Sequence, residues 1–401
     1  MNIAAVYAVV IKSSPYWDCF SIRLKIGEIM IYFDNAATTG HKPISVINAV
    51  NNTLKNFSAN PGRSGHKLSE QAAMIVYKAR ESLSDFFGAE GAENIAFTAN
   101  CTTSINFILK GVLSAGDNVV ISDLEHNAVM RPLKAMNNVT YTVAEVSLTD
   151  DNQTVNNFEN AINKNTKMIF CTSASYVLGK ILPIKRIGEL CKKYGLMFGV
   201  DAAQGAGVIP INMKEMNIDF LCIAPHKGLY APMGLGVLIA RKPLKRTIIE
   251  GGTGTDSVNF SQPDIMPEML ESGTVNLPAI AGTTAGIEFI KSKQNCVYDY
   301  EMKIANKFYE GLQKNGKALV YTNLSDGDYV PVLSFNLKDT PSDKTAAFLN
   351  KNNFALRAGL HCAPTAHKKI GTVEIGTVRF SPSIFNNEKQ VEMLLKTLKN
   401  F

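Results

Sequence analysis

The sequence predicts an α/β protein, a large domain built on a mostly parallel sheet with a smaller α+β domain beside it. Three observations carry this. From about residue 70 to 280, helical periodicities alternate with short β-rich runs. Most of those runs are continuously apolar, as strands covered by helices on both faces must be. The 401 residues also exceed what a single core accommodates. The expected division is a large domain over 46–284 and a small one combining 30–45 with 285–401. Residues 1–29 are expected to be an N-terminal extension of unassigned role or a misassigned start, because Met30 directly precedes the run from Ile31 to Thr39.

In chain order, the first strong element is an amphipathic helix over 69–87. Ala72, Ala73, Val76, Ala79, Leu83, Phe86 and Phe87 share its apolar face, Ser69 is the expected N-cap, and Gly88 closes it. Strands follow over 94–97, 118–122, 167–172, 196–201, 220–224 and 236–240. A helix start is expected after the first of them, at Asn100 to Asn106.

Composition excludes several function classes. With 46% hydrophobic and 19% charged residues, the chain is an ordinary globular one, neither disordered nor membrane-embedded. A net charge of +6 is modest, and the basic run over 241–246 is a short solvated turn with no basic stripe around it, so no nucleic acid is expected. The apolar stretch over 3–11 lacks a basic segment before it and is too short to span a bilayer. Seven cysteines, at 19, 101, 171, 191, 222, 296 and 362, form no Cys-x-x-Cys pair and no metal-ligand spacing with histidine. No metal is expected, and a reduced, cytoplasmic setting fits.

Candidate chemistry gathers at strand ends, where open α/β sheets bind ligands. One strand ends in Asp201-Ala202-Ala203-Gln204, and the next runs into Ala224-Pro225-His226-Lys227. A carboxylate there can keep a pyridinium nitrogen protonated, and a lysine just past the next strand can form a Schiff base with an aldehyde, which points to pyridoxal phosphate. After 118–122 comes Glu125-His126-Asn127, where the imidazole of His126 can lie flat on a pyridine ring or serve the loop structurally. Cys101, Thr102 and Thr103 open a helix whose N-H groups and hydroxyls suit a phosphate, or ordinary N-capping. Downstream, Arg357-Ala358-Gly359-Leu360-His361-Cys362-Ala363 sets a thiol beside two groups expected to favour its thiolate, Arg357 and His361. Arg379 is placed to fork onto a substrate carboxylate, or to form a structural salt bridge.

Taken together, these residues resemble the class V aminotransferase family of fold-type I pyridoxal-phosphate enzymes, and within it the cysteine desulfurases with an Arg-x-Gly-x-His-Cys-Ala segment. The resemblance runs from about Ile31 to the C-terminus and includes Asp34-Asn35-Ala36-Ala37-Thr38 and Asn60-Pro61-Gly62-Arg63. It implies that Lys227 carries the cofactor, Asp201 faces the pyridine nitrogen, Gln204 the phenolic oxygen, and His126 the ring. Cys101, Thr102 and Thr103 would hold the phosphate, with His226 beside Lys227. Thr253 and Thr274 would complete the phosphate site of a partner subunit in a homodimer. L-cysteine would be the substrate, with Arg357, Arg379, Asn35 and Tyr176 on its side of the pocket. Cys362 would take the sulfur as a persulfide and pass it to an acceptor protein or thiol.

Two positions depart from the family pattern. Tyr176, in Ser175-Tyr176-Val177-Leu178-Gly179, replaces the usual asparagine, and Ala224 replaces a serine or threonine, removing a hydroxyl from the expected phosphate cradle. The same cofactor site would also serve a selenocysteine lyase, a sulfinate lyase or an aminotransferase, and the departures suit a weakly active sulfur-transfer partner.

Overall fold

The computed structural model describes residues 30–62, 64–255, 257–293 and 296–401. The expected extension 1–29 and Arg63 of the Asn60 to Arg63 segment lie outside the described residues. Strand β1 (Ile31–Tyr32) opens the fold, followed by helices α1 (Ile44–Asn56) and α2 (Lys67–Phe87). Helix α2 buries Ala72, Val76, Ala79, Leu83 and Phe87 on one face, each large side chain contributing roughly 1.5–3 kcal/mol on burial. Gly88, left-handed at φ 62°, ends it as expected. The start differs from expectation. His66 is the N-cap, its ring nitrogen accepting from the Ser69 N-H, while the Ser69 hydroxyl donates to the Asn60 carbonyl at 2.7 Å.

Next come β2 (Ile95–Thr98), α3 (Cys101–Val112), β3 (Asn118–Ser122), α4 (Asn127–Ala135), β4 (Thr140–Ala144) and α5 (Asp151–Ala161). They are followed by β5 (Thr166–Thr172), α6 (Ile184–Tyr194), β6 (Met197–Asp201), β7 (Phe220–Ile223) and β8 (Gly236–Ala240). The seven strands from β2 to β8 form one sheet, ordered β2-β8-β7-β6-β5-β3-β4. Strands β4, β3, β5, β6 and β7 run parallel, and β8 is antiparallel to both neighbours. Strands β2, β3, β7 and β8 are buried along their whole length, which explains their unbroken apolar sequence. Because β3, β5, β6 and β7 are parallel, their carboxyl ends share one rim, and the chain leaves that rim at Asp123, Ser173, Ala202 and Ala224.

The chain then returns through α7 (Leu277–Ser292), which packs on α1 and α2. The remaining elements are α8 (Cys296–Gln313), β9 (Ala318–Val320), β10 (Leu333–Leu337), α9 (Ser342–Lys351), β11 (Phe354–Ala355), β12 (Arg357–Gly359), α10 (Pro364–Lys369), β13 (Thr377–Phe380) and α11 (Glu388–Lys399). An antiparallel sheet of order β12-β13-β10-β9 covers a core in which Phe308 stacks on Phe380 at 4.2 Å between ring centres. Strand β1 pairs in parallel with β11, and Asp34 bridges to Ser381, so the first residues of the fold close onto its last sheet. Among the described residues no helix is long and apolar enough to cross a membrane.

Candidate active site

The carboxylate at the end of β6 is the hub of the rim. Asp201 is fully buried, and its Oδ1 accepts from the Ala203 N-H at 3.0 Å, with the Cys101 thiol 3.8 Å away. Its Oδ2 accepts from the Tyr176 hydroxyl at 2.7 Å. One strand over, Lys227 follows a tight turn closed by its N-H on the Ala224 carbonyl. Burial, and then the Arg379 guanidinium, push the Lys227 amine down to about 8. The sign is fixed: the amine is largely neutral, and so nucleophilic, above pH 8. Competitive labelling with acetic anhydride should give Lys227 a half-reaction point near pH 8, against the ordinary lysine value of about 10.4; a midpoint above 10 at this residue would contradict the desolvated site.

The end of β3 supplies two groups. Glu125 is fully buried, with Oε1 accepting from the Ser122 hydroxyl and the Thr172 N-H, so it ties β3 to β5. Its Oε2 has no hydrogen-bond partner, and burial pushes the carboxyl up to about 8, leaving it mostly protonated at neutral pH. His126 caps α4 through Nδ1, which accepts from the Ala128 N-H at 3.0 Å. Burial holds the imidazole down at about 4, hence neutral.

Tyr176, just past β5, joins these groups. Its ring centre lies 4.6 Å from that of His126 at an interplanar angle of 32°. The Lys227 ammonium sits 4.7 Å from the same ring centre. The sequence put Tyr176 on the substrate side; the structure sets it on Asp201 and His126, the two groups expected to contact a cofactor ring.

Other expected residues are engaged in ways the sequence left open. The Thr103 N-H and hydroxyl both bond the Asn100 side chain, at 2.9 and 3.1 Å, which is the N-capping alternative. Thr102 is exposed beside it. The Gln204 side-chain amide donates to the Ala36 carbonyl at 3.0 Å. Asn35 spans its own loop, donating to the Ser381 carbonyl at 3.0 Å and accepting from the Gly40 N-H at 3.1 Å. The His226 carbonyl accepts from the Thr38 and Thr39 hydroxyls, while its ring Nδ1 is buried with no hydrogen-bond partner. Thr253 and Thr274 lie in the long connection between β8 and α7, Thr274 exposed.

The thiol segment follows β12. His361 and Cys362 are consecutive left-handed residues, at φ 48° and 58°, a turn that buries the imidazole and exposes the thiol. The Cys362 carbonyl accepts from the Asn127 N-H at 2.7 Å, fastening this loop beside His126. Arg357 lies 3.7 Å from the sulfur through Nη2. The expected help from His361 is not there. Its Nε2 faces the Thr377 carbonyl and hydroxyl at 3.1 Å, and burial drives it down to about 2, so it is neutral and turned into the core. Arg379, opposite Arg357 in the β12–β13 register, is 1% exposed. It donates to Asp34 and to the Tyr176 carbonyl, each at 3.0 Å.

A family model for aminotransferase class-V matches residues 31–394. The chain belongs to this family. Among similar class-V relatives, a probable cysteine desulfurase of Pyrococcus abyssi is 31% identical over 92% of this chain and 94% of its own length. Another from Borreliella burgdorferi is 29% identical over 92% and 91%. The solved structure of a cysteine desulfurase from Thermococcus onnurineus superposes with a TM-score of 0.84 at 30% identity, covering 92% of this chain and 94% of that one. The class-V enzymes use pyridoxal phosphate, and the α/β architecture with its largely parallel seven-stranded sheet is theirs. In this class-V chain the partnership of Asp34 with Arg379 and the clamping of β3 to β5 by Glu125 were not legible in the sequence, although both residues lie within the Asp34–Thr38 and Glu125–Asn127 motifs.

Proposed function

We propose that this enzyme is a cysteine desulfurase that converts L-cysteine to L-alanine and takes the sulfur onto Cys362 as a persulfide, with pyridoxal 5′-phosphate as cofactor. The observation that carries this reading is an exposed thiol, 3.7 Å from Arg357, tied through Asn127 to the His126 corner of the same rim that holds the low-pKa amine of Lys227.

The donors present suit that cofactor. Asp201 would hold the pyridine N-H, His126 the ring face, Gln204 the phenolic oxygen on release from the Ala36 carbonyl, and Cys101, Thr102 and Thr103 the phosphate, Thr103 on release from Asn100. His226, with a buried unpartnered Nδ1, faces the same need for a polar ligand group. When bound, pyridoxal phosphate supplies an electron sink for the substrate's α-carbon. Lys227 would anchor it and carry protons at Nζ. Arg357 is the more available fork for the substrate carboxylate, since both terminal nitrogens of Arg379 are already engaged. The Cys362 thiolate attacks the substrate sulfur: the S-S bond forms as the C-S bond breaks, its electron pair stays with carbon, and a proton completes alanine. An acceptor thiol or protein then removes the sulfur.

The reading includes a cytoplasmic homodimer in which Thr253 and Thr274 reach the other subunit's phosphate site. It keeps 46–284 as the large unit and 30–45 with 285–401 as the small one, the junction falling within α7. Incubation with L-cysteine without reductant should add one sulfur to the peptide carrying Cys362 and release an equal amount of alanine; alanine without that added sulfur would remove Cys362 from the acceptor role. A second reading, a sulfur-transfer partner of low turnover, is favoured by the seat of Tyr176 on Asp201.

A further inference from the structure

We propose that Tyr176 is a gate on the cofactor slot: its aromatic ring takes the seat of the pyridine ring on Asp201 and His126, and the cofactor enters only as this side chain turns out. The inference rests on the pyridoxal-phosphate reading above. It stands on three contacts made by one side chain. The phenol donates to Asp201 Oδ2 at 2.7 Å, which is what a protonated pyridine nitrogen would do. The ring lies against His126 at 4.6 Å, as a stacked pyridine would. The Lys227 nitrogen stands 4.7 Å from its centre, the group that would link to the cofactor's aldehyde. Two aromatic rings cannot share that seat.

The surroundings agree. Tyr176 is 4% exposed, so its ring is enclosed. The cleft that opens at Lys227 is lined by Asn35, Thr39, Gln204, Glu301 and Ser383, and neither Asp201 nor His126 lines it. Burial and the neighbouring Asp201 carboxylate push the phenol far above its ordinary range, so it stays a donor. The backbone is pinned while the side chain is not covalently held: Arg379 bonds the Tyr176 carbonyl at 3.0 Å, and the Ser175 hydroxyl accepts from the Val177 and Leu178 N-H groups. Opening is therefore a side-chain rotation and not a loop movement.

A minor open state populated at roughly 0.1–10% weakens apparent cofactor affinity by the inverse of that fraction. The test is uptake of pyridoxal phosphate by the full-length protein freed of cofactor with hydroxylamine, followed through the absorbance of the lysine-bound chromophore in wild type, Tyr176→Asn and Tyr176→Phe. Tyr176→Asn should bind at least about ten-fold more tightly and faster than wild type. Tyr176→Phe, which keeps the ring but loses the Asp201 hydrogen bond, should fall between them and guards against a folding defect in the first variant. Uptake by Tyr176→Asn alone supports the gate in its fully closed form. Equal affinity and rate in all three overturn the gate and leave the cofactor reading standing. No uptake by any of them overturns the cofactor reading and the gate with it.

Discussion

Cys362→Ala and Lys227→Ala should each cut alanine release from L-cysteine by at least about a thousand-fold at saturating cofactor, on the scale seen when a nucleophile is removed from an enzyme. The loss at Cys362 should be chemical and not structural. The side chain is exposed, and the loop is fastened by a backbone bond from Asn127 to the Cys362 carbonyl that alanine retains. Among the described residues, burial pushes Cys101, Cys171, Cys191 and Cys222 up, which starves them of thiolate and leaves them poor substitutes. Cys296 is exposed but opens α8, so Cys296→Ala serves as the control that keeps activity. The two active-site variants also separate the competing chemistries. Sulfinate cleavage and transamination need Lys227 but not Cys362, so a Cys362→Ala enzyme that loses alanine release from L-cysteine but still acts on a sulfinate or transaminates would separate them, whereas undiminished alanine release from L-cysteine would remove Cys362 from the sulfur-acceptor role. The measurement is sulfide and alanine together, with a reductant present.

How far the sequence could be read depended on the range of the interactions. Strands β3 and β8 match the expected 118–122 and 236–240, because a strand buried on both faces writes its burial as an unbroken apolar run. Strand β4 was not anticipated: at the sheet edge Tyr141 and Val143 are 38% and 46% exposed, and its mixed Thr-Tyr-Thr-Val-Ala sequence carries no burial signal. Asp201, Lys227 and Cys362 were legible as chemistry at strand ends and in a turn. What each side chain touches was not. Asn35 and Gln204 looked free for ligands, yet their amides bond backbone of the Ala36 to Ser381 region, contacts that exist only once β1 has closed onto the last sheet. Ser69 lost the cap to His66, since a histidine ring three residues before an amide can accept as well as a hydroxyl. Tyr176 was visible as a substitution, but its hydroxyl on Asp201 follows from the parallel neighbours β5 and β6 bringing Thr172 opposite Asp201.

Asp34→Ala should destabilise the fold by about 3 kcal/mol, the lower end of what breaking a buried ion pair costs. Arg379 is 1% exposed, and its guanidinium meets Asp34 Oδ1 at 3.0 Å across 345 residues of sequence. Burial lowers the Arg379 pKa, with Asp34 acting against that shift, so the carboxylate offsets part of the desolvation. Removing it leaves a buried cation facing a second one, because Arg357 stands opposite Arg379 in the strand register. The Arg379 Nε already lacks a hydrogen-bond partner, so no spare protein acceptor waits for the charge. The low end of the range applies because the Asp34 side chain is 19% exposed and water can enter where it stood. The double variant Asp34→Ala with Arg379→Met removes the charge as well and should be more stable than Asp34→Ala alone. Urea unfolding of the three proteins reads both numbers, and a single-variant loss below about 1 kcal/mol would mean the pair is solvated and structurally idle. The same pair reaches the reactive rim: Arg379 also holds the Tyr176 carbonyl, so losing Asp34 frees the backbone on which Tyr176 pivots. Asp34→Ala should therefore loosen the Tyr176 seat as it destabilises the fold, whereas Tyr176→Phe alters that seat with Asp34 and Arg379 still joined.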